Sequence, residues 1–171
     1  MGLDVFHTLA EVAVAITGFS SLIIVFRGNS PDWTRQDYVG FSFVLTWSVG
    51  SIFLSLLPIV LAEFQITLDA ATQIGLFSAI VYLYAAAGFL TVTQARVAKR
   101  MGETVPTKPR LIMGISFLII TSVAFAAGFG WLPGPRHAWY AATIVLLMMH
   151  ATADLGVFVV QTTRRQRPEG A

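Results

Sequence analysis

Long apolar stretches separated by short polar connections set the pattern of this chain. Apolar residues dominate 5–26, 38–62, 71–97, 111–131 and 138–161 on all sides of a helical wheel, which describes helices surrounded by nonpolar material rather than amphipathic surface helices. At a rise of about 1.5 Å per residue, each stretch reaches across a hydrocarbon core of about 30 Å. The connections carry strong breakers: Gly28, Asn29, Ser30 and Pro31 in the first, and Gly102, Pro106 and Pro109 in the third. The fourth, Leu132 to Arg136 (LPGPR), is too tight for anything but an antiparallel hairpin. The segment from Arg96 to Arg110 reads as the longest loop, and Pro58 is expected to kink the second span. The predicted fold is all-α: a polytopic membrane protein whose residues 1–171 form a single transmembrane domain, a five-transmembrane-helix bundle. The first span begins without Lys or Arg, and no small-residue cleavage site follows a short apolar core, so a retained helix is expected and not a signal peptide.

Polar positions inside the spans are few and ordered. In the fifth span, His150 and Asp154 lie four residues apart in TIVLLMMHATADLGVFVVQ, with Thr143 and Gln161 on the same stripe to either side. A carboxylate at the bilayer centre costs roughly 2.5–3.5 kcal/mol on insertion scales, so this stripe must face protein, water or an ion. His7 and Glu11 repeat the spacing in the first span, and Gly18 and Ser21 continue their face. In the second span Ser48, Ser51 and Ser55 share a face, with hydroxyls expected to bond back to carbonyls of their own helix. Thr46 and Gly50 form a pair of small residues of the kind that admits a close neighbour. In the third span Tyr84, Gly88 and Thr91 lie along one side; the phenols of Tyr82 and Tyr84 need partners, for which Asp154 or His150 is the candidate.

Composition agrees with this pattern. The 171 residues are 56% hydrophobic and 12% charged, with a mean hydropathy of +0.73, outside the range of soluble domains. The absence of cysteine excludes disulfides, thiolate metal sites, iron–sulfur clusters and covalent haem attachment. A formal charge of +2 could point to nucleic acid, but the basic residues are sorted by side instead, so no nucleic-acid partner is expected. Arg27 and Arg35 flank the first connection, Arg96, Lys99, Arg100, Lys108 and Arg110 fall in the third, and Arg164, Arg165 and Arg167 in the tail; the other side holds Arg136 alone. The positive-inside rule then puts the N-terminus outside and the C-terminus in the cytoplasm. Lys99, Arg100, Lys108 and Arg110 are expected to contact anionic headgroups at about 1 kcal/mol each. Trp33, Trp131, Trp139 and Tyr140 suit the interfacial level.

The chain has no Walker loop, zinc-protease helix, nucleophile elbow or dinucleotide fingerprint, and no enzyme activity is expected. What remains is ionisable residues inside the membrane. Glu11 and Asp154 are expected to attract or relay protons or small cations, with His7 and His150 as modulators and Tyr84, Ser51, Ser55, Thr143 and Gln161 as supporting polar groups. The two pairs lie on the order of 16 Å apart in depth, too far for one four-ligand metal site. A shallower outer cluster of Asp4, His7, Glu11, Glu63 and His137, or a haem between His7 and His137, is conceivable, so metal and cofactor stay open. The first-span text AEVAVAITGFSSL resembles uncharacterised small bacterial multi-spanning inner-membrane proteins that begin with a similar acid-bearing Gly-Phe-Ser helix. That resemblance implies a bacterial inner (plasma) membrane location and no particular activity. Five spans can cover only part of two polar seams, so the lipid bilayer is joined as expected partner by further copies in a homo-oligomer, or by a larger membrane complex. Conduction is the leading expectation, with a non-catalytic accessory or assembly subunit and a cofactor-bearing electron-transfer subunit as alternatives; for conduction, both Asp154→Asn and Glu11→Gln should reduce flux.

Overall fold

The computed structural model describes residues 2–27, 34–102 and 107–165, with side-chain surroundings for residues 2–23, 34, 37–100, 102 and 115–160. Five helices follow one another: α1 (Asp4–Arg27), α2 (Arg35–Glu63), α3 (Leu68–Met101), α4 (Thr107–Gly128) and α5 (Arg136–Arg165). No strand occurs among the described residues. Four stretches are long and apolar enough to cross a membrane: Asp4–Ile23, Asp37–Glu63, Leu68–Arg100 and Arg136–Val160. In α4 the described apolar stretch is shorter, Ile115–Gly128. The chain is thus all-helical, with the character of a membrane protein.

The helix ends follow local chemistry. At the start of α2, the backbone N–H and hydroxyl of Thr34 both donate to the Asp37 carboxylate at 2.8 Å, a capping arrangement that satisfies groups the first turn leaves open. That helix ends in a Schellman turn: the N–H of Gln65 donates to Ala62 O (2.9 Å) and that of Ile66 to Leu61 O (3.3 Å). Gln65 takes the left-handed position, φ 59°. Helix α4 ends the same way, with Gly130 (φ 73°) donating to Ala127 O and Trp131 to Ala126 O. Helix α3 extends past the expected 71–97 at both ends. Thr67 Oγ1 accepts from the Ala70 N–H at 3.4 Å, and left-handed Gly102 (φ 66°) closes the other end. The expected long loop therefore shortens, because Arg96, Lys99 and Arg100 continue α3, where cations favour the negative end of the helix dipole. Pro109 sits in the first turn of α4, where its missing N–H forfeits no helical bond. Arg136, expected in a loop, opens α5 and forms an ion pair with Asp69 in the first turn of α3.

Helices α2 and α5 make the most extensive packing, and α5 also meets α1, α3 and α4. Among the described residues α1 packs only on α2 and α5. Three junctions fix α2 and α5 as antiparallel: Tyr140 OH donates to Leu54 O, His150 stands edge-on to Trp47, and Phe158 lies over Gly40. Tyr140 also meets Phe6 (ring centroids 5.6 Å apart) and Gly75, both early in their helices, so α1, α3 and α5 run one way. Helix α4 runs against α3, tied by the Gln73 amide donating to Gly128 O at 3.1 Å and by Tyr84 against Phe117.

Two tyrosines act as rivets through glycine. A β-carbon on Gly75 would stand 2.4 Å from the Tyr140 ring, and one on Gly50 would stand 2.2 Å from Tyr82. Tyr82 OH donates to Thr46 O. The Thr46 and Gly50 pair thus receives an aromatic ring from α3, so close approach there depends on the tyrosine. Between the rivets lies an apolar core in which Leu54, Leu76, Leu83, Ile144 and Leu147 are fully buried.

Candidate functional site

Helix α5 carries the predicted stripe into the core. Thr143, fully buried, donates to Trp139 O of its own helix at 2.9 Å. His150 is half-buried, with Nδ1 2.9 Å from Leu146 O. With the proton on Nδ1 the ring donates to that carbonyl and leaves Nε2 as an acceptor. One turn further, half-buried Asp154 holds Oδ2 out of solvent without a hydrogen-bond partner. Across the interface Trp47 of α2 sets its indole edge-on to His150, ring centroids 6.4 Å apart, and its Nε1 is likewise buried and unpartnered. Asp154 interacts electrostatically with His150, and the Trp47 indole N–H is directed at its carboxylate from just beyond strict hydrogen-bond geometry. Buried polar atoms rarely stay unpaired, so a donor and an acceptor that face each other from α2 and α5 without closing a bond single this place out in the bundle.

A cavity of about 20 Å³ adjoins this group, lined by Trp47, Leu83, Phe117, Ile120, Leu147 and His150. Its lining is hydrocarbon apart from the rings of Trp47 and His150, and Asp154 is not part of it, so the space is small and largely apolar. A hydrated metal cation does not fit. Towards the Tyr140 end, the buried side chains of Leu83, Leu147, Ile144 and Leu76 close the bundle with hydrocarbon.

The structure sorts the other predicted residues differently. Ser51 donates to Trp47 O as expected of a buried hydroxyl, but Ser48 and Ser55 are buried without a partner. These two lie about 100° round the helix from Trp47 and Leu54, so they do not extend the Trp47 face. Tyr84 is 58% exposed and rests edge-on against Phe117. The expected pairing of a phenol with Asp154 or His150 is therefore not made: Tyr82 is committed to Thr46 O, and Tyr84 turns outward. His7 and Glu11 are exposed on α1, whose packed face is Phe6, Ala10, Ala13 and Ser20. Glu11 follows Phe6 by five residues and Asp154 follows Tyr140 by fourteen, so with Phe6 against Tyr140 the acids stand about 14 Å apart along the bundle. They share no common interior.

Among the described residues no three His, Asp or Glu side chains gather where a metal could be held, so the outer cluster of Asp4, His7, Glu11, Glu63 and His137 does not assemble as a ligand set. Lys99 and Arg100 are exposed in the last turn of α3, and Arg96 and Arg100 flank a cleft of about 230 Å³. The side chains of Lys108, Arg110 and Gln161 lie outside the described residues.

The residue that sequence reasoning missed is Trp47. The signal was there, since tryptophan in a membrane span belongs at the interfaces and one near the middle of a span needs a reason and a partner for its N–H. In comparisons with known proteins, no family model, no curated protein and no solved structure matches the chain.

Proposed function

We propose that this protein is a five-span bacterial inner-membrane protein that relays protons through Asp154, with His150 as its neighbouring acceptor and the Trp47 indole as the group that positions the carboxylate. The observation that carries this reading is the Asp154 carboxylate at the meeting of α2 and α5, with Oδ2 out of solvent and the Trp47 indole N–H directed at it from the facing helix. A space of about 20 Å³ admits no hydrated sodium or potassium ion, which favours a proton over either. The hydrocarbon plug of Leu83, Ile144 and Leu147 makes the site one-sided in this conformation, so exchange proceeds from the Val160 end and a rearrangement opens the other path.

The membrane placement supports the reading. Helix α4, at 22 residues, is about 33 Å long, a length that supports a fifth crossing. Alternating helix directions gather Asp4, Glu63, Asp69 and Arg136 at one end and Arg96, Lys99 and Arg100 of α3 at the other; by the positive-inside rule this supports an N-terminus outside and a C-terminus in the cytoplasm. The test is proton flux in liposomes carrying the purified protein under an imposed pH gradient. Asp154→Asn keeps the shape of the side chain and lowers the rate by roughly a hundredfold, the lower end of what a proton-transfer group contributes. A wild-type protein that carries potassium as readily as protons, or none of either, would rule the relay out.

A further inference from the structure

We infer that the outward face of α1 is an interface with a second copy of this chain, joined two-fold by reciprocal pairing of Glu11 with His7. This does not depend on the relay. Helix α1 is the least covered of the long apolar helices, meeting α2 and α5 but neither α3 nor α4 among the described residues. Glu11 lies in the third turn of the apolar stretch Asp4–Ile23, about 140° round the helix from buried Phe6, and is exposed. Among the described residues neither Glu11 nor His7 has an ion pair or a side-chain hydrogen bond. A carboxylate facing away from its own bundle within an apolar stretch calls for polar neighbours, because acyl chains cannot solvate it, and within its own chain the nearest ionisable group on that face is His7, one turn away and itself unbonded among the described residues.

The occupant is a second copy because the face is complementary to itself. In a membrane dimer with its axis along the normal, the two α1 helices run parallel, and each residue faces its own equivalent. Glu11 and His7 are offset by about 6 Å along the axis, a gap the two side chains together span across the interface, so Glu11 of one copy meets His7 of the other and the reverse contact forms at the same time. One acid and one base, a turn apart on one face, are what such an interface requires. Ala15 and Gly18 continue the exposed face inward, and a β-carbon on Gly18 would meet nothing within 4 Å. Small residues there let the two backbones approach.

The chain has no cysteine, so single cysteines report the contact cleanly. Gly18→Cys is placed in the full-length protein and oxidised in native membranes, with Phe89→Cys, on the exposed side of α3, as the comparison. A disulfide needs the two Cα atoms within about 7 Å, so the α1 variant should cross-link to a dimer about tenfold faster than the α3 variant. In the Gly18→Cys background Glu11→Leu should slow cross-linking severalfold, and the exchange of His7→Glu with Glu11→His should restore it. Equal rates at the two cysteines, no effect of Glu11→Leu, or Gly18→Cys adducts only with a protein of another size would overturn the inference.

Discussion

Gly75 and Gly50 have no room for a β-carbon because a tyrosine ring already fills the space, 2.4 Å and 2.2 Å away. Gly75→Ala and Gly50→Ala should each lower stability by about 1–3 kcal/mol, the usual effect of overpacking. Gly88→Ala, with nothing within 4 Å, should leave stability unchanged or raise it slightly, and thermal unfolding in detergent distinguishes the two classes. At this scale the sequence was partly legible. The spacing of His150 and Asp154 put them on one face, and the small pair at Thr46 and Gly50 marked a close contact. What stands opposite Asp154 was not readable, because the α2–α5 register is set by ring-on-glycine contacts such as Phe158 on Gly40, and these depend on three-dimensional fit. Trp47 carried a usable signal; the outward turn of Tyr84 carried none.

The helices themselves were legible, since runs of about 20 apolar residues leave few alternatives. Their ends were less so. Pro109 and the basic run before it look like loop in composition, yet the first turn of a helix accepts proline and the last turn favours cations, so both belong to helices. Face assignment was the larger difficulty: the His-to-acid spacing is identical in α1 and α5, but one pair points out and the other in. Spacing fixes which residues share a face and leaves open what that face meets. The left-handed turn after α2 allows an element-scale test. Gln65 adopts φ 59° at a position glycine fills without strain. Relief of roughly 1–2 kcal/mol of left-handed strain, set against glycine's entropy, predicts that Gln65→Gly gains about 0.5–1 kcal/mol. A lower midpoint of unfolding in this variant would show that the Gln65 side chain contributes more than its backbone conformation forfeits.

For the whole molecule, the proposed relay site lies between α2 and α5, the proposed dimer surface on α1, and the proposed orientation turns the basic end of α3 to the cytoplasm. Orientation is checked with a membrane-impermeant thiol reagent. Gln65→Cys and Gly134→Cys, in connections at the acidic end, should react on intact cells, while Gly102→Cys should react only after the membrane is opened. The reverse pattern would invert the direction of any relay. Separation of the two acids is the feature that sets this account apart from a single path lined by both. The most direct measurement is therefore the initial proton flux of wild type, Asp154→Asn and Glu11→Gln in matched liposomes. A fall of roughly a hundredfold for Asp154→Asn, with Glu11→Gln keeping most of the wild-type rate, is the predicted result; a wild-type rate in Asp154→Asn would contradict it.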